Sequence, residues 1–237
     1  MVELGQWRHR EEWQLPSRVV VLQRGAGRRS ADYFAATEAA GIPIEVQSLY
    51  DEARTVDPAV RSAEILVSSA VPITAEDVQQ LDRCRFILRP YVGYDDIDVD
   101  ALTARGILLA NIPDAFSEEV AVHTLALILA FNRFLFRADR YVREGGYWTQ
   151  RGRADLPIHH PKALTLGIIG FGTIGQLLAE RAKPLGFRML AYDPFPAREA
   201  AQRLGVAFSS LEEVLGQSDY LSLHVFLNTQ TTHLMDE

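Results

Sequence analysis

Apolar and polar positions along this chain fall into blocks whose period changes back and forth. Short apolar runs of strand length are separated by stretches with the three-to-four-residue spacing of a helix. Val19–Leu22, Ile44–Val46, Ile65–Ser69, Phe86–Leu88 and Ile107–Ala110 read as five strands. Between them, Ala31–Ala40 reads as an Ala-rich helix stopped at Gly41. A second helix opens on a capping-box variant of Thr74 and Asp77, and a third, Val99–Ala104, ends at Gly106. Alternation of this kind predicts an α/β lobe with a parallel sheet and helices on both of its faces.

Pro113–Phe116 reads as a crossing into a second lobe, so the chain divides into residues 1–116 and 117–237, with 1–16 an aperiodic extension. Ser117 is expected to cap the next helix, whose first turn carries Glu118 and Glu119. From Val120 to Phe136 this helix is apolar on nearly every face. That composition requires burial between lobes or against a second copy. Arg133, Arg137, Arg140 and Arg143 extend it as a solvated cationic end, Gly145 and Gly146 stop it, and Trp148–Lys162 reads as a polar loop.

The remaining segments are a strand at Leu164–Ile169, a helix at Ile174–Leu185 and a strand at Arg188–Asp193 stopped by Pro194 and Pro196. A helix at Ala197–Leu204, a short strand at Val206–Phe208, a helix opened by a Ser210/Glu213 capping box and a strand at Asp219–Val225 follow. Gly170, Gly172 and Gly175 stand at G-x-G-x-x-G spacing between the first of these strands and its helix. In a dinucleotide site the first glycine makes the turn, the second admits a pyrophosphate and the third lets helix and strand pack closely. Phosphates then meet the free N–H groups of a helix N-terminus. Asp193, 18 residues beyond Gly175, stands where a carboxylate accepts the adenosine ribose hydroxyls and repels a 2′-phosphate. NAD is therefore expected over NADP.

Composition narrows the partners. With 24 Lys and Arg against 31 Asp and Glu, the net charge of −7 gives nucleic acid no global reason to bind. The most apolar stretch, Val120–Phe136, is interrupted by His123, Asn132 and Arg133, so no membrane span is expected. Cys84 is the single cysteine and cannot form an internal disulfide; with no secretory signal at the N-terminus, a cytoplasmic protein is expected. No Cys, His and carboxylate cluster has metal-ligand spacing. His123 reads as a core histidine, His159 and His160 as a loop pair, and His224 either as a strand-end residue beside the cofactor or as a plain packed or solvated histidine.

Five stretches together carry a family resemblance: Arg89-Pro-Tyr-Val-Gly-Tyr-Asp-Asp-Ile-Asp98, Gly106–Pro113, Glu118–Arg133, the glycine fingerprint through Pro194, and Ser218–His224. In these the chain resembles the D-isomer-specific 2-hydroxyacid dehydrogenases, nearest their C-terminal-binding-protein branch. The resemblance implies a flavodoxin-like substrate lobe (1–116) and a Rossmann NAD-binding lobe (117–237), both with parallel sheets. It also implies a homodimer built by the helix at 118–136. Tyr91, Val92 and Gly93 match the loop that faces the cleft, where backbone N–H groups hold a substrate carboxylate. Val92 also falls on the cofactor side, but where many relatives carry Ser or Thr its side chain has no phosphate contact to give. Thr173 and Ile174 match backbone contacts to the pyrophosphate, Asp193 the ribose acid, and Val225 the strand end beside the cofactor.

The implied function is NAD-dependent oxidation of a small 2-hydroxy acid, or reduction of a 2-keto acid. The alternative is a non-catalytic NAD-binding or corepressor-like module. The family's catalytic Arg, Glu and His have no matching positions, so no catalytic residue is assigned. The Rossmann lobe is expected to be incomplete and the 237 residues inactive by themselves.

Overall fold

Strand β1, Val19–Leu22, is apolar at every position because both faces of its sheet are covered. Val20 and Leu22 point into one core with Leu66, Ile73, Val78, Ile87 and Leu102, whereas Val19 and Val21 meet Val67 on the opposite face. The computed structural model describes residues 18–22, 39, 41–42, 44–50, 55–146 and 158–235. The expected extension 1–16, the expected helix Ala31–Ala40 apart from Ala39, and residues 148–157 of the expected polar loop lie outside these. Two units result, Met1–Ala115 and Phe116–Glu237.

In the first unit β1 pairs in parallel with β2 (Ile44–Gln47) and β3 (Ile65–Ser68). The sheet continues through β4 (Phe86–Arg89) to β5 (Leu108–Asn111), giving the order β2-β1-β3-β4-β5 of flavodoxin-type sheets. Helix α1, Pro58–Arg61, has Pro58 in its first turn, and the Asp57 carboxylate accepts the Ala59 N–H at 2.7 Å. In α2 (Ala75–Gln80), Thr74 and Asp77 form the expected capping box; Asp77 is buried and also accepts from the Tyr50 hydroxyl at 2.8 Å. Helix α3 (Val99–Arg105) is capped by Asp98 and closed by Gly106 at φ 66°.

The second unit contains α4 (Ser117–Asn132), α5 (Leu135–Arg143) and the strands β6 (Thr165–Ile169) and β7 (Arg188–Tyr192). Beyond β7 lie α7 (Arg198–Leu204), β8 (Val206–Phe208), α8 (Leu211–Gln217) and β9 (Tyr220–Leu223). Between β6 and β7 runs α6, Thr173–Ala182, which tightens into a 3₁₀ turn at Lys183–Leu185 where Pro184 cannot continue the ladder. All strand pairs are parallel in the order β8-β7-β6-β9. That is the first four positions of the Rossmann order, with the direction of winding reversing between β6 and β9.

Three expectations about α4 need correction. His123 is exposed and is not the expected core histidine. Ser117 does not cap the helix: Phe116, in the left-handed region at φ 61°, is the flanking residue, and Ser117 is already the first helical position. Its buried hydroxyl has no hydrogen-bond partner. Nor is the helix continuous to Phe136. Phe134 is left-handed at φ 52°, and the axes of α4 and α5 differ by 60°. One stripe of α4, through Ala121 and Ile128, packs on the core with Leu178, Ala179 and Ala182, while Val120, Val122, Leu127 and Phe131 are exposed. No single helix among the described residues is long and apolar enough to cross a membrane.

Candidate functional site

The turn after β6 lies at the strand-order reversal, the place where open parallel sheets bind ligands. Its three glycines have separate physical grounds. Gly170 is at φ 90°, and a β-carbon there would stand 2.5 Å from the His224 carbonyl oxygen and 3.0 Å from Val225 Cγ1. A β-carbon on Gly175 would stand 2.3 Å from the Gly170 carbonyl oxygen, so α6 touches the turn backbone to backbone. Gly172 is different. It is exposed, its backbone is extended, and a β-carbon would meet nothing within 4 Å. The space in front of it is bounded by the start of α6, which has no side-chain cap. A pyrophosphate fits this cradle: it needs close backbone approach at Gly172 and N–H donors from Thr173 and Ile174 at the helix start.

Asp193 follows β7 and is held from two sides. One carboxylate oxygen accepts the Phe171 N–H at 2.7 Å and the other the Phe195 N–H at 2.8 Å. The first bond ties the acid directly to the glycine turn. Each oxygen keeps a lone pair, which is what two vicinal ribose hydroxyls require. Tyr192, Asp193, Pro196, Arg198, Phe208 and Ser209 line a shallow hollow of about 260 Å³. The Ser209 hydroxyl donates to Glu213. Arg198 and Ser209 carried no signal in the sequence beyond following strand ends.

Val225 is half-buried against Ile169, Leu190 and Val214, beside Gly170, though β9 ends at Leu223 and not at Val225 as expected. His224 gives its ring Nε2 to a 2.9 Å hydrogen bond with Ser222, and burial lowers its pKa. Asp219 accepts the Thr165 N–H at 2.7 Å and registers β9 against β6.

In the first unit the loop Tyr91-Val92-Gly93 leaves the carboxyl end of β4 with its carbonyls pinned inward. The Tyr91 carbonyl accepts from the Ile112 N–H at 3.2 Å, Val92 from Asn111 Nδ2 at 2.8 Å, and Gly93 from Arg89 Nε at 3.1 Å. A planar trans peptide that turns its C=O inward turns the next N–H outward. The Val92 and Gly93 N–H groups consequently point opposite to those pinned carbonyls, and no hydrogen bond from either occurs among the described residues. Arg89 is not itself a ligand group. Its buried guanidinium donates to Ser68 and Val71 as well as Gly93 and is ion-paired with Asp96. The Tyr91 ring stacks 5.9 Å from that cation, and its hydroxyl lies 3.4 Å from Ser69 Oγ. Asn111, which sequence reasoning passed over, has a recognisable signal as an amide at a strand end. Among the described residues no cluster of three or more His, Cys, Asp or Glu is placed to hold a metal ion.

Comparison with known proteins agrees with this geometry. Residues 125–237 match the family model "D-isomer specific 2-hydroxyacid dehydrogenase, NAD binding domain". A glyoxylate reductase of Korarchaeum cryptofilum is 38% identical over 179 residues, which are 75% of this chain and 54% of that protein. A D-3-phosphoglycerate dehydrogenase of Mycobacterium tuberculosis is 36% identical over 173 residues, 73% of this chain and 32% of that protein. Among solved structures, D-lactate dehydrogenase from Aquifex aeolicus, complexed with NAD and lactic acid, superposes with a TM-score of 0.80 at 28% identity. That match covers 92% of this chain and 63% of the other. The chain thus spans about half the length of the glyoxylate reductase it matches. Residues 125–237 carry the NAD-binding domain of the D-isomer-specific 2-hydroxyacid dehydrogenase family.

Proposed function

We propose that the protein is an NAD-dependent oxidoreductase acting on the CH–OH group of a small 2-hydroxy acid, or in reverse on the 2-keto acid. The observation that carries this is the glycine turn, where Gly170 and Gly175 are sterically required and Gly172 alone faces open space. Residues 116–237 bind the dinucleotide, with Thr173 and Ile174 at its pyrophosphate and Asp193 at its adenosine ribose. Residues 1–115 bind the acid, whose carboxylate is taken by the outward N–H groups of Val92 and Gly93. Bound NAD supplies the hydride acceptor. No proton-moving residue is assigned in this chain.

Two further features belong to the proposal. The exposed apolar side chains of α4, among them Val122 and Phe131, fit burial by a second copy in a two-fold homodimer. A single free cysteine, Cys84, suits a cytoplasmic protein. The test of the central reading is a titration of the full chain with NADH, followed by nicotinamide fluorescence. Saturable binding that Gly172→Val abolishes is expected; binding unchanged by that substitution would overturn the reading.

A further inference from the structure

We infer that Arg198 is a second determinant of dinucleotide choice, giving NADPH a foothold that Asp193 alone would deny. The inference rests on the dinucleotide-binding reading above. Asp193 and Arg198 line the same hollow at the carboxyl ends of β7 and β8. The carboxylate cannot swing aside when a 2′-phosphate approaches, because both its oxygens are tied to backbone N–H groups. Its charge can therefore be offset only by a cation delivered to the same place.

Arg198 is the one cation in the lining of that hollow. Among the described residues its exposed guanidinium has no ion pair or hydrogen bond. Helix stability does not account for it either, since it is the first residue of α7, the end at which the macrodipole disfavours a cation. The planar guanidinium fork matches phosphate oxygens bidentately. Of the two hydroxyl residues in the lining, Ser209 has committed its proton to Glu213 and Tyr192 is an uncharged phenol, which leaves Arg198 as the charged donor for a phosphate. A fixed anion and an available cation in one hollow make the preference for NADH graded, with NADPH admitted at lower affinity.

The experiment titrates NADH and NADPH separately into the full chain by nicotinamide fluorescence, for the unaltered protein, Arg198→Gln, Asp193→Asn and the double variant. Arg198→Gln should weaken NADPH by about tenfold, the loss of one charge-assisted phosphate contact, and leave NADH within about twofold. In Asp193→Asn, where repulsion is gone, NADPH should equal or pass NADH, and adding Arg198→Gln should remove that gain. Equal weakening of both nucleotides by Arg198→Gln, or no effect on NADPH in either background, would overturn the inference while leaving the NAD site in place. Failure of the unaltered chain to bind NADH would remove the dinucleotide reading itself, and this inference with it.

Discussion

Gly170 and His224 meet backbone to backbone: a β-carbon on the glycine would lie 2.5 Å from the histidine carbonyl oxygen, closer than any real side chain approaches. The contact joins the turn after β6 to the chain leaving β9 at the reversal of strand order. It separates two kinds of glycine within one fingerprint, since Gly170 answers to the fold and Gly172 to a ligand.

That separation is measurable. Gly170→Ala adds a side chain in a left-handed conformation and against a carbonyl, and should cost about 2–4 kcal/mol in urea unfolding. Gly172→Val, at an extended N-cap position with open space, should stay within about 1 kcal/mol of the unaltered protein yet lose NADH binding. Equal destabilisation by the two would show that the space before Gly172 is not open.

Arg89 should matter for stability and loop geometry rather than for charge in the site. Arg89→Met removes the donor shared by Ser68, Val71 and Gly93 and strands Asp96. A loss of about 3 kcal/mol is expected by urea unfolding, in the range for breaking one side of a buried pair. Arg89→Lys should recover only part of it, because an ammonium cannot reproduce the fork. Full recovery by lysine would reduce Arg89 to a point charge.

Sedimentation equilibrium of the full chain should show a dimer. Val122→Glu with Phe131→Glu, both on the exposed side of α4, should shift it to monomer with little change in unfolding free energy per chain. A protein already monomeric at tens of micromolar would defeat the homodimer.

Burial pushes the Cys84 thiol up to about 11. The folded state thus holds its proton to higher pH than the unfolded chain does, near 9. The stability this gives is complete below pH 9 and is lost as pH rises towards 11, by about 2–3 kcal/mol. The urea midpoint should fall over that window by more than it does in Cys84→Ala. Parallel pH profiles for the two proteins would show that the thiol is not the titrating group. Within neutral solution the thiol should resist alkylation until the chain unfolds.

Much of this molecule was legible in its residues because strand and cap signals are local. The apolar runs at Val19–Leu22 and Leu164–Ile169 could only be strands covered on both faces, and the Thr74/Asp77 and Ser210/Glu213 pairs marked helix starts that the structure places there. Asp57-Pro58 is an equally local signal for the start of α1. The failures involve backbone states that side-chain identity does not announce. Nothing in Asn132-Arg133-Phe134 predicts a left-handed phenylalanine, and the same state at Phe116 displaced the cap from Ser117. At the site, the glycine spacing and Asp193 could be read directly. The carbonyls pinned before Val92 and Gly93 by Ile112 and Asn111, and the sharing of one hollow by Asp193 and Arg198, arise from long-range placement, for which the amide of Asn111 at its strand end is the one local signal.

The break at Phe134 also decides what keeps α5 helical. None of its nine residues is buried, and an isolated helix in water needs about 12–15 residues to persist even with favourable composition. The Asp139–Arg143 pair, one turn apart, adds only a few tenths of a kcal/mol. The edge-to-face contact of Phe131 with Phe136 anchors one end across the bend. In the proposed homodimer a second copy would supply that order, and the segment's amide hydrogens would then be an internal gauge of association. Exchange across residues 135–143 should be rapid at high dilution and slow as protein concentration rises, while the amides of β6 stay protected throughout.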